Sequence, residues 1–581
     1  MRKTKIICTL GPATDSQDIL INLIANGMDV ARFNFSHGTH EEQLKRLTLL
    51  RSVASNNKTR VATMLDTKGP EIRLGLFKNG KQELKTGKKV TLTTQDFEGT
   101  SEKSHVNYID LPNYVNVDDT IFLDDGNITL KVINKNETEI ECYIVDGGVV
   151  SNRKKVSIPD AVLGLPAVTD KDILDIKFAI KHHYDYIAAS FVRSANHVIE
   201  IRKILEEYHS SIKIIAKIEN REGLNNIQEI IKVSDGIMVA RGDLGVEIPA
   251  EEVPLRQKEM IKLCRKAGKP VIIATQMLDS MIRNPRPTRA EASDVANAIF
   301  EGTDAIMLSG ETAAGQYPVE AVKMMRKISE TTEHGIHYPL PFVKDESNKT
   351  GITDAIGQTV CEMAQMLGVK AIITPTQSGY TARMIAKYRP AADIIAVTPV
   401  SQIEGELNLI WGVNALASAP LENTDDVLEE SIAVALRNKL IDEGDLVIIT
   451  AGVPAAMPGG TNLIKIHTVG KVLTQGVGIG KQSITAKAVV IRDRNDLARV
   501  NPDNIIVCVH TDASYVPIMA RAAGIVTEIG GLTSHAAIVG LNFGKPVVVN
   551  AKDIMKLVKD GELITIDCER GLIYSGRATI L

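Results

Sequence analysis

The sequence runs to 581 residues, 44% hydrophobic and 24% charged, and at about 150 residues per domain it predicts three to five domains rather than one core. A net charge of −4 argues against nucleic acid or an anionic membrane surface as partner, since both call for a basic face. No apolar run reaches the ~20 residues of a membrane span, and six scattered cysteines (Cys8, Cys142, Cys264, Cys361, Cys508, Cys568) without paired spacing point to reduced thiols and a cytoplasmic setting.

The opening, Met1-Arg2-Lys3-Thr4-Lys5 before an apolar run, mimics a signal peptide but breaks at Gly11-Pro12, so a first strand over 5–10 explains it better. A helix is expected over 15–26 and a second strand over 28–33, ending in Arg32-Phe33-Asn34-Phe35-Ser36-His37-Gly38. A third strand, 61–65, ends in Asp66-Thr67-Lys68-Gly69-Pro70-Glu71-Ile72-Arg73. Helical periodicity then stops for about a hundred residues. Residues 74–166 are rich in Gly, Asn, Asp and β-formers, with turn signals such as Asp124-Asp125-Gly126-Asn127, and predict an inserted all-β module. Thr169-Asp170-Lys171-Asp172 reads as a helix cap. Strands follow at 185–192, 212–218, 236–240, 270–275 and 305–308, with a helix over 223–233. Three strand–helix repeats before the insertion and five after it make eight, the number that closes a (β/α)8 barrel of the α/β class.

The carboxyl ends of these strands carry polar groups: Arg32/Asn34/Ser36, Asp66/Thr67, Ser190, Lys217/Glu219, Arg241/Asp243, Thr275/Gln276 and Ser309/Glu311. Ligands gather at that end of such a barrel. Side chains alternate along a strand, so Lys217 and Glu219 share a side, and Asp243 leaves the adjacent strand at a similar level. One amine with two carboxylates suits a hard divalent cation and an anionic substrate. Each residue taken singly fits a structural ion pair better than a site; the loading of one face reverses that balance.

A second α/β pattern begins near residue 351, with strands at 370–375, 393–398, 445–450 and 462–467. Its first strand runs into Thr376-Gln377-Ser378-Gly379-Tyr380-Thr381-Ala382-Arg383, whose amides can cradle phosphate or form an ordinary capped turn. Residues 474–480, with Gly476, Gly478 and Gly480, read as a linker. A last module follows, containing Gly530-Gly531-Leu532-Thr533-Ser534-His535.

Residues 32–38, 66–73, 217–220, 238–249, 274–280 and 286–297, with Leu308-Ser309-Gly310-Glu311-Thr312, resemble pyruvate kinase, in matching order from residue 1 to about 469. The last module resembles the swivelling phosphohistidine domain of phosphoenolpyruvate-utilising enzymes, which the pyruvate kinases of some Bacillus-like Gram-positive bacteria carry. The resemblance implies phosphoryl transfer from phosphoenolpyruvate to ADP, giving pyruvate and ATP at the last step of glycolysis, by an allosterically regulated homotetramer. It implies a (β/α)8 barrel over 1–69 and 168–345, a β-rich lid over 70–167, an α/β effector and assembly domain over 346–473, and the extra domain over 474–581.

It also implies roles by position. Glu219 and Asp243 match the ligands of Mg2+ (or Mn2+), and Lys217 the stabiliser of the transferring phosphoryl group and developing enolate. Thr275 matches the hydroxyl near the enolate carbon, Gly242 a backbone contact to substrate, and Arg32 a phosphate-binding arginine. Asn34, Ser36, Asp66 and the Thr67 carbonyl match the K+ site, and Glu71 stands where potassium-dependent members carry Glu and independent ones Lys. Nucleotide contacts map to Asn34, His37, Arg73 and Lys154, with Asp125 from the lid, and a sugar-phosphate or AMP effector to Thr376, Ser378, Gly379 and Thr381.

Two positions depart from the pattern: Phe33 replaces the usual Leu, and Val156-Ser157-Ile158-Pro159-Asp160-Ala161 follows Lys154-Lys155 where the family usually has a Gly-Val-Asn-Leu-Pro-Gly-like run. In dikinase-type enzymes the Thr533-Ser534-His535 run presents a phosphoryl-carrying histidine. Such enzymes also need an ATP-grasp domain and a cysteine acid near the end of the chain, and neither is visible here. A linker of about seven residues spans roughly 25 Å, too short for His535 to reach the barrel. The expectation is a structural role, with the module packed against the second α/β domain. A non-catalytic sensor is disfavoured by intact Lys217, Glu219, Asp243 and Thr275.

Overall fold

The computed structural model describes residues 2–159, 161, 163–340, 351–421, 423–452 and 460–580, so the expected domain boundary at 345/346 lies outside the described residues. The chain divides into two compact units, Met1–Glu346 with Val400–Ala415, and Ser347–Pro399 with Leu416–Leu581.

The first unit is built on eight short, apolar strands: β1 (Lys5–Leu10), β2 (Val30–Asn34), β3 (Ala62–Asp66), β4 (Tyr186–Ala189), β5 (Lys213–Ile218), β6 (Gly236–Ala240), β7 (Val271–Ala274) and β8 (Ala305–Leu308). They form a closed parallel barrel, and β8 returns to pair with β1 through Lys5↔Ala305 and Ile6↔Ile306. Strand alternation divides the apolar residues between two cores. Ile6, Cys8 and Ile214 face the surrounding helices, while Ile7, Met64, Ile215, Met238 and Ile272 fill the barrel. Leu409, from the segment Val400–Ala415, joins that inner core.

The expected helix over 223–233 is two, Arg221–Asn225 and Ile227–Val233. The first starts two residues early because the Asn220 side chain caps it, accepting a bond from the Gly223 amide at 2.7 Å. The Thr169 cap is a full capping box: its hydroxyl accepts from the Asp172 amide, and the Asp172 carboxylate accepts from the Thr169 amide.

Between β3 and β4 the inserted module forms a six-stranded sheet, in the order Val156–Ser157, Thr120–Leu123, Ile128–Lys135, Glu139–Asp146, Lys89–Thr93 and Lys103–His105. It has a core of its own around Leu92, Leu130, Val132 and Ile144.

In the second unit, Asp393–Thr398, Ala371–Pro375 and Leu446–Gly452 are parallel neighbours, with Thr461–Thr468 antiparallel beside the last. A separate eight-stranded sheet carries the C-terminal module, and here the linker expectation for 474–480 is corrected. Val472–Gln475 and Val477–Ile479 are the two edge strands of that sheet. Their glycines serve close packing rather than flexibility: a Cβ on Gly478 would lie 1.8 Å from the Cys568 carbonyl oxygen, and one on Gly476 2.4 Å from that of Val549. The module's end packs on the α/β sheet, as expected. Thr579 donates its amide to the Gly444 carbonyl at 2.8 Å, and the Thr468 hydroxyl donates to the Thr579 carbonyl at 3.0 Å.

The six cysteines are buried free thiols. Among the described residues no helix is long and apolar enough to cross a membrane.

Candidate active site

Alternation that points Ile215 inward also points Lys217 and Glu219 inward, one and two steps further toward the strand's carboxyl end. The same parity, anchored by Val30, Met64 and Ala188 in the inner core, directs Arg32, Asp66 and Ser190 to that end. The result is a buried ionic network. Arg32 Nε donates to Asp66 Oδ2 at 2.6 Å, and Lys217 Nζ donates to Asp66 Oδ1 at 3.0 Å and to Ser190 Oγ at 2.7 Å. Lys217 Nζ also lies 3.1 Å from Glu219 Oε1, and the Phe191 amide donates to Glu219 Oε2 at 2.6 Å.

The electrostatics follow from burial and pairing. Burial works against charge on Lys217, but Asp66 and Glu219 outweigh it and hold the ammonium's pKa above its usual value. Burial likewise opposes charge on Asp66, yet Arg32 and Lys217 keep its carboxyl below the usual range. Glu219 goes the other way: burial, offset only in part by Lys217, pushes it upward, and Asp243 adds to the rise. A carboxylate in that position accommodates an added cation.

Asp243 lies on the short helix Arg241–Glu247 that follows β6, the neighbour of β5. Its carboxylate accepts a 2.5 Å bond from Lys155 Nζ, which comes from the inserted module and sits 4.9 Å from the Phe191 ring centre. Burial opposes the Lys155 charge, but Asp243 raises its pKa above the usual value. Beyond β7, Thr275 and Gln276 hold left-handed backbone (φ 68° and 55°), a strained state for a β-branched residue and frequent at functional sites. The bend brings Thr275 Oγ1 to 2.8 Å from the Gly242 amide, whose bond it accepts, while the hydroxyl donates to the Ala274 carbonyl at 2.6 Å.

Asn34, Ser36, Asp66 and Thr67 gather at the ends of β2 and β3: Asn34 Oδ1 accepts from the Ser36 amide at 3.0 Å, and the Thr67 carbonyl accepts from Ser190 Oγ at 2.7 Å. His37 is exposed at the loop after β2. Arg73 is held by Glu71 at 2.7 Å. Lys154 turns to Asp124 at 2.6 Å within the inserted module and does not join the cluster. Its neighbour Lys155 does. Sequence reading missed Lys155, and only the alternation of the two lysines along an extended segment could have hinted that one faces the barrel.

Glu219 and Asp243 offer the carboxylate oxygens that a hard divalent ion requires. Among the described residues no group of three or more His, Cys, Asp and Glu is placed to hold a metal ion.

In the second unit, Thr376, Ser378 and Thr381 line a cavity of about 70 Å³ with Glu430, Ser431 and Thr461. Gly379, at φ 68°, donates its amide to Thr376 Oγ1 at 2.9 Å. In the C-terminal module His535 opens the helix His535–Asn542, its Nδ1 2.8 Å from Thr511 Oγ1.

A parallel (β/α)8 barrel whose carboxyl end concentrates opposed, buried charges suits an enzyme that aligns and neutralises an anionic substrate, the requirement of phosphoryl transfer. The chain matches the pyruvate kinase barrel domain over residues 1–322, the pyruvate kinase alpha/beta domain over 354–467 and the mobile domain of PEP-utilising enzymes over 500–571. It is 52% identical over 585 residues to a pyruvate kinase of Geobacillus stearothermophilus and 48% over 586 residues to one of Staphylococcus epidermidis, each alignment covering 100% of both chains. A crystal structure of a pyruvate kinase from Cryptosporidium parvum superposes with a TM-score of 0.76 at 41% identity, covering 80% of this chain and 96% of that one. The chain belongs to the pyruvate kinase family. It is a phosphotransferase of glycolysis that uses phosphoenolpyruvate and ADP, in a family that works with divalent and monovalent cations.

Proposed function

We propose that Lys217 is the group on which transfer turns, and that its place between Asp66, Glu219 and Ser190 carries the assignment. The ammonium is charged, buried and fixed before substrate arrives, so it needs no reorganisation when negative charge grows on the phosphoryl group and the enolate. Arg32 binds the substrate phosphate from the opposite side of Asp66. The Gly242 amide and Thr275 hydroxyl, already bonded to each other, orient the substrate, and the hydroxyl stands at the start of a proton path to the enolate carbon.

Arg32, Lys217 and Lys155 are balanced by Asp66, Glu219 and Asp243, so a highly anionic substrate needs cations brought with it. Glu219 and Asp243 hold Mg2+ (or Mn2+), which when bound supplies positive charge to the phosphoryl oxygens. Asn34, Ser36, Asp66 and the Thr67 carbonyl hold K+, all oxygen donors as a hard monovalent ion requires. ADP lies against Asn34, His37 and Arg73, with Lys154 and Asp125 at the lid's edge.

The cavity at Thr376, Ser378, Gly379 and Thr381 receives the phosphate of a sugar phosphate or AMP and makes the enzyme allosteric. Its hydroxyl-rich wall and Glu430 suit sugar hydroxyls. The enzyme works as a cytoplasmic homotetramer, in the domain arrangement set out from the sequence with the last domain starting at Val472 rather than 474. Replacing Asp243 by Asn tests the core of this reading: loss of the divalent-cation response supports it, and unchanged cation dependence overturns the ligand assignment.

A further inference from the structure

The run Leu308-Ser309-Gly310-Glu311-Thr312 leaves the end of β8, and its bonds converge on a side chain that carries no charge. The Ser309 amide donates to Glu311 Oε2 at 2.8 Å, and the Leu278 amide donates to Glu311 Oε1 at 3.1 Å. The Ser309 N–H and the Leu308 carbonyl belong to one planar peptide unit, so the Glu311 carboxylate fixes where that carbonyl points. The Thr9 hydroxyl donates to the Leu308 carbonyl at 2.9 Å, and the Thr312 hydroxyl donates to the Thr9 carbonyl at 2.8 Å. Thr9 is thus held through side chain and backbone alike, and it is buried together with Glu311 and Thr312.

In the ladder between β1 and β2, Thr9 is the register partner of Arg32. The parity that points Ile7 into the barrel sends Thr9 to the same end as Arg32. Arg32 Nη1 donates to Thr9 Oγ1 at 2.9 Å, while Nε donates to Asp66 at 2.6 Å. A hydroxyl has one proton. Because that of Thr9 is committed to the Leu308 carbonyl, only its lone pairs face Arg32, and toward the guanidinium it acts as an acceptor alone. Two acceptors on two nitrogens fix the plane of the guanidinium as well as its place. Among the described residues Nη2 takes no bond, which leaves that side of the fork to phosphate oxygens.

We propose that Thr9 is a positioning residue for the known reaction: its hydroxyl, oriented by the Leu308–Ser309 peptide, holds the Arg32 guanidinium in the plane that receives the phosphate of phosphoenolpyruvate. The bond from Nε to Asp66 by itself leaves the guanidinium free to tilt about that one point. The second bond, at Nη1, removes the freedom before substrate arrives, so it need not be lost on binding. Thr9 needs no contact with substrate, and the loop after β8 acts on the reaction through it. This inference rests on the reading of Arg32 as the phosphate-binding arginine.

The test uses the full-length enzyme with Thr9→Val, Thr9→Ala, Thr9→Ser, Arg32→Met and the double variant Thr9→Val/Arg32→Met. Valine keeps the shape of threonine and removes the acceptor; alanine removes it without filling the space, so the comparison stands if valine packs badly. Serine keeps the hydroxyl. Thr9→Val and Thr9→Ala are expected to raise the KM for phosphoenolpyruvate roughly ten- to a hundredfold, the range of one lost bond to a charged group. The KM for ADP should move less than about twofold, and Thr9→Ser should restore most of the loss. In the Arg32→Met background Thr9→Val should add nothing, because the hydroxyl acts only through the guanidinium. A serine variant as poor as valine, equal losses for both substrates, or losses that add in the double variant would each overturn the positioning role. Arg32→Met keeps the two readings apart. An unchanged KM for phosphoenolpyruvate in that variant removes the phosphate reading and the positioning role with it. A raised KM there, beside Thr9→Val and Thr9→Ala that match wild type, removes the positioning role alone.

Discussion

Lys217 has two carboxylates and a hydroxyl as partners before any substrate is present, so replacing it removes charge from a network that stays buried. Lys217→Met should lower kcat by about three orders of magnitude or more while the KM for phosphoenolpyruvate moves little, because the lost interaction strengthens only as charge develops. Steady-state kinetics over both substrates measure the split, and near-normal turnover would refute the role. Glu71 offers a second test at this scale. It brings a carboxylate against Arg73 and no ammonium, so activity should require potassium. Glu71→Lys places a tethered cation there and should leave partial activity in potassium-free, tetramethylammonium-containing buffer. Wild-type turnover that is equal with and without potassium would dismiss the site.

At the scale of elements, the helix Asp170–Lys181 restarts the barrel after the inserted module, and Thr169 caps it with a full box. The Asp172 carboxylate also accepts a bond from the Gly69 amide at 3.0 Å, so this cap ties the two chain crossings of the module together. Thr169→Ala should destabilise the first unit by about 1 kcal/mol, read as a lower urea midpoint at unchanged slope. The turn at 376–381 makes a different kind of prediction. A carboxylate introduced by Ser378→Asp puts like charge against an incoming phosphate. It should abolish activation by ribose 5-phosphate or AMP while basal turnover holds. An activation curve identical to wild type would move the effector elsewhere.

For the whole molecule, the edge strands Val472–Gln475 and Val477–Ile479 move the logical truncation point. A cut after Gly480 would strand two edges without their sheet, so the clean deletion ends before Val472. That shortened enzyme should keep kcat within a few-fold and lose thermal stability, since it also gives up the bonds from Thr579 to Gly444 and from Thr468 to Thr579. Incubation of the intact chain with labelled phosphoenolpyruvate should leave no acid-labile label on His535. A stoichiometric label that disappears in His535→Ala would reverse the structural reading of this module.

Much of this protein was determined locally. The alternation that sends Arg32, Asp66, Lys217 and Glu219 to one end of the barrel is a property of each strand by itself, and β1, β6 and β8 begin and end where their apolar runs do. The capping box at Thr169 is local for the same reason. What only the tertiary structure decided are contacts between segments far apart in the chain. Gly476 and Gly478 look like linker residues because glycine is permissive, and their purpose appears only when the backbones at Val549 and Cys568 close against them. Leu409 reads as one more apolar residue of the second pattern, yet it fills the inner core of the barrel. Lys154 and Lys155 are indistinguishable as letters. Which one faces Asp124 and which faces Asp243 depends on how the inserted sheet docks on a helix 88 residues away in the chain. The run after them opens with the short strand Val156–Ser157, which pairs antiparallel with Leu123 and Phe122 of the inserted sheet, a contact no local pattern announces.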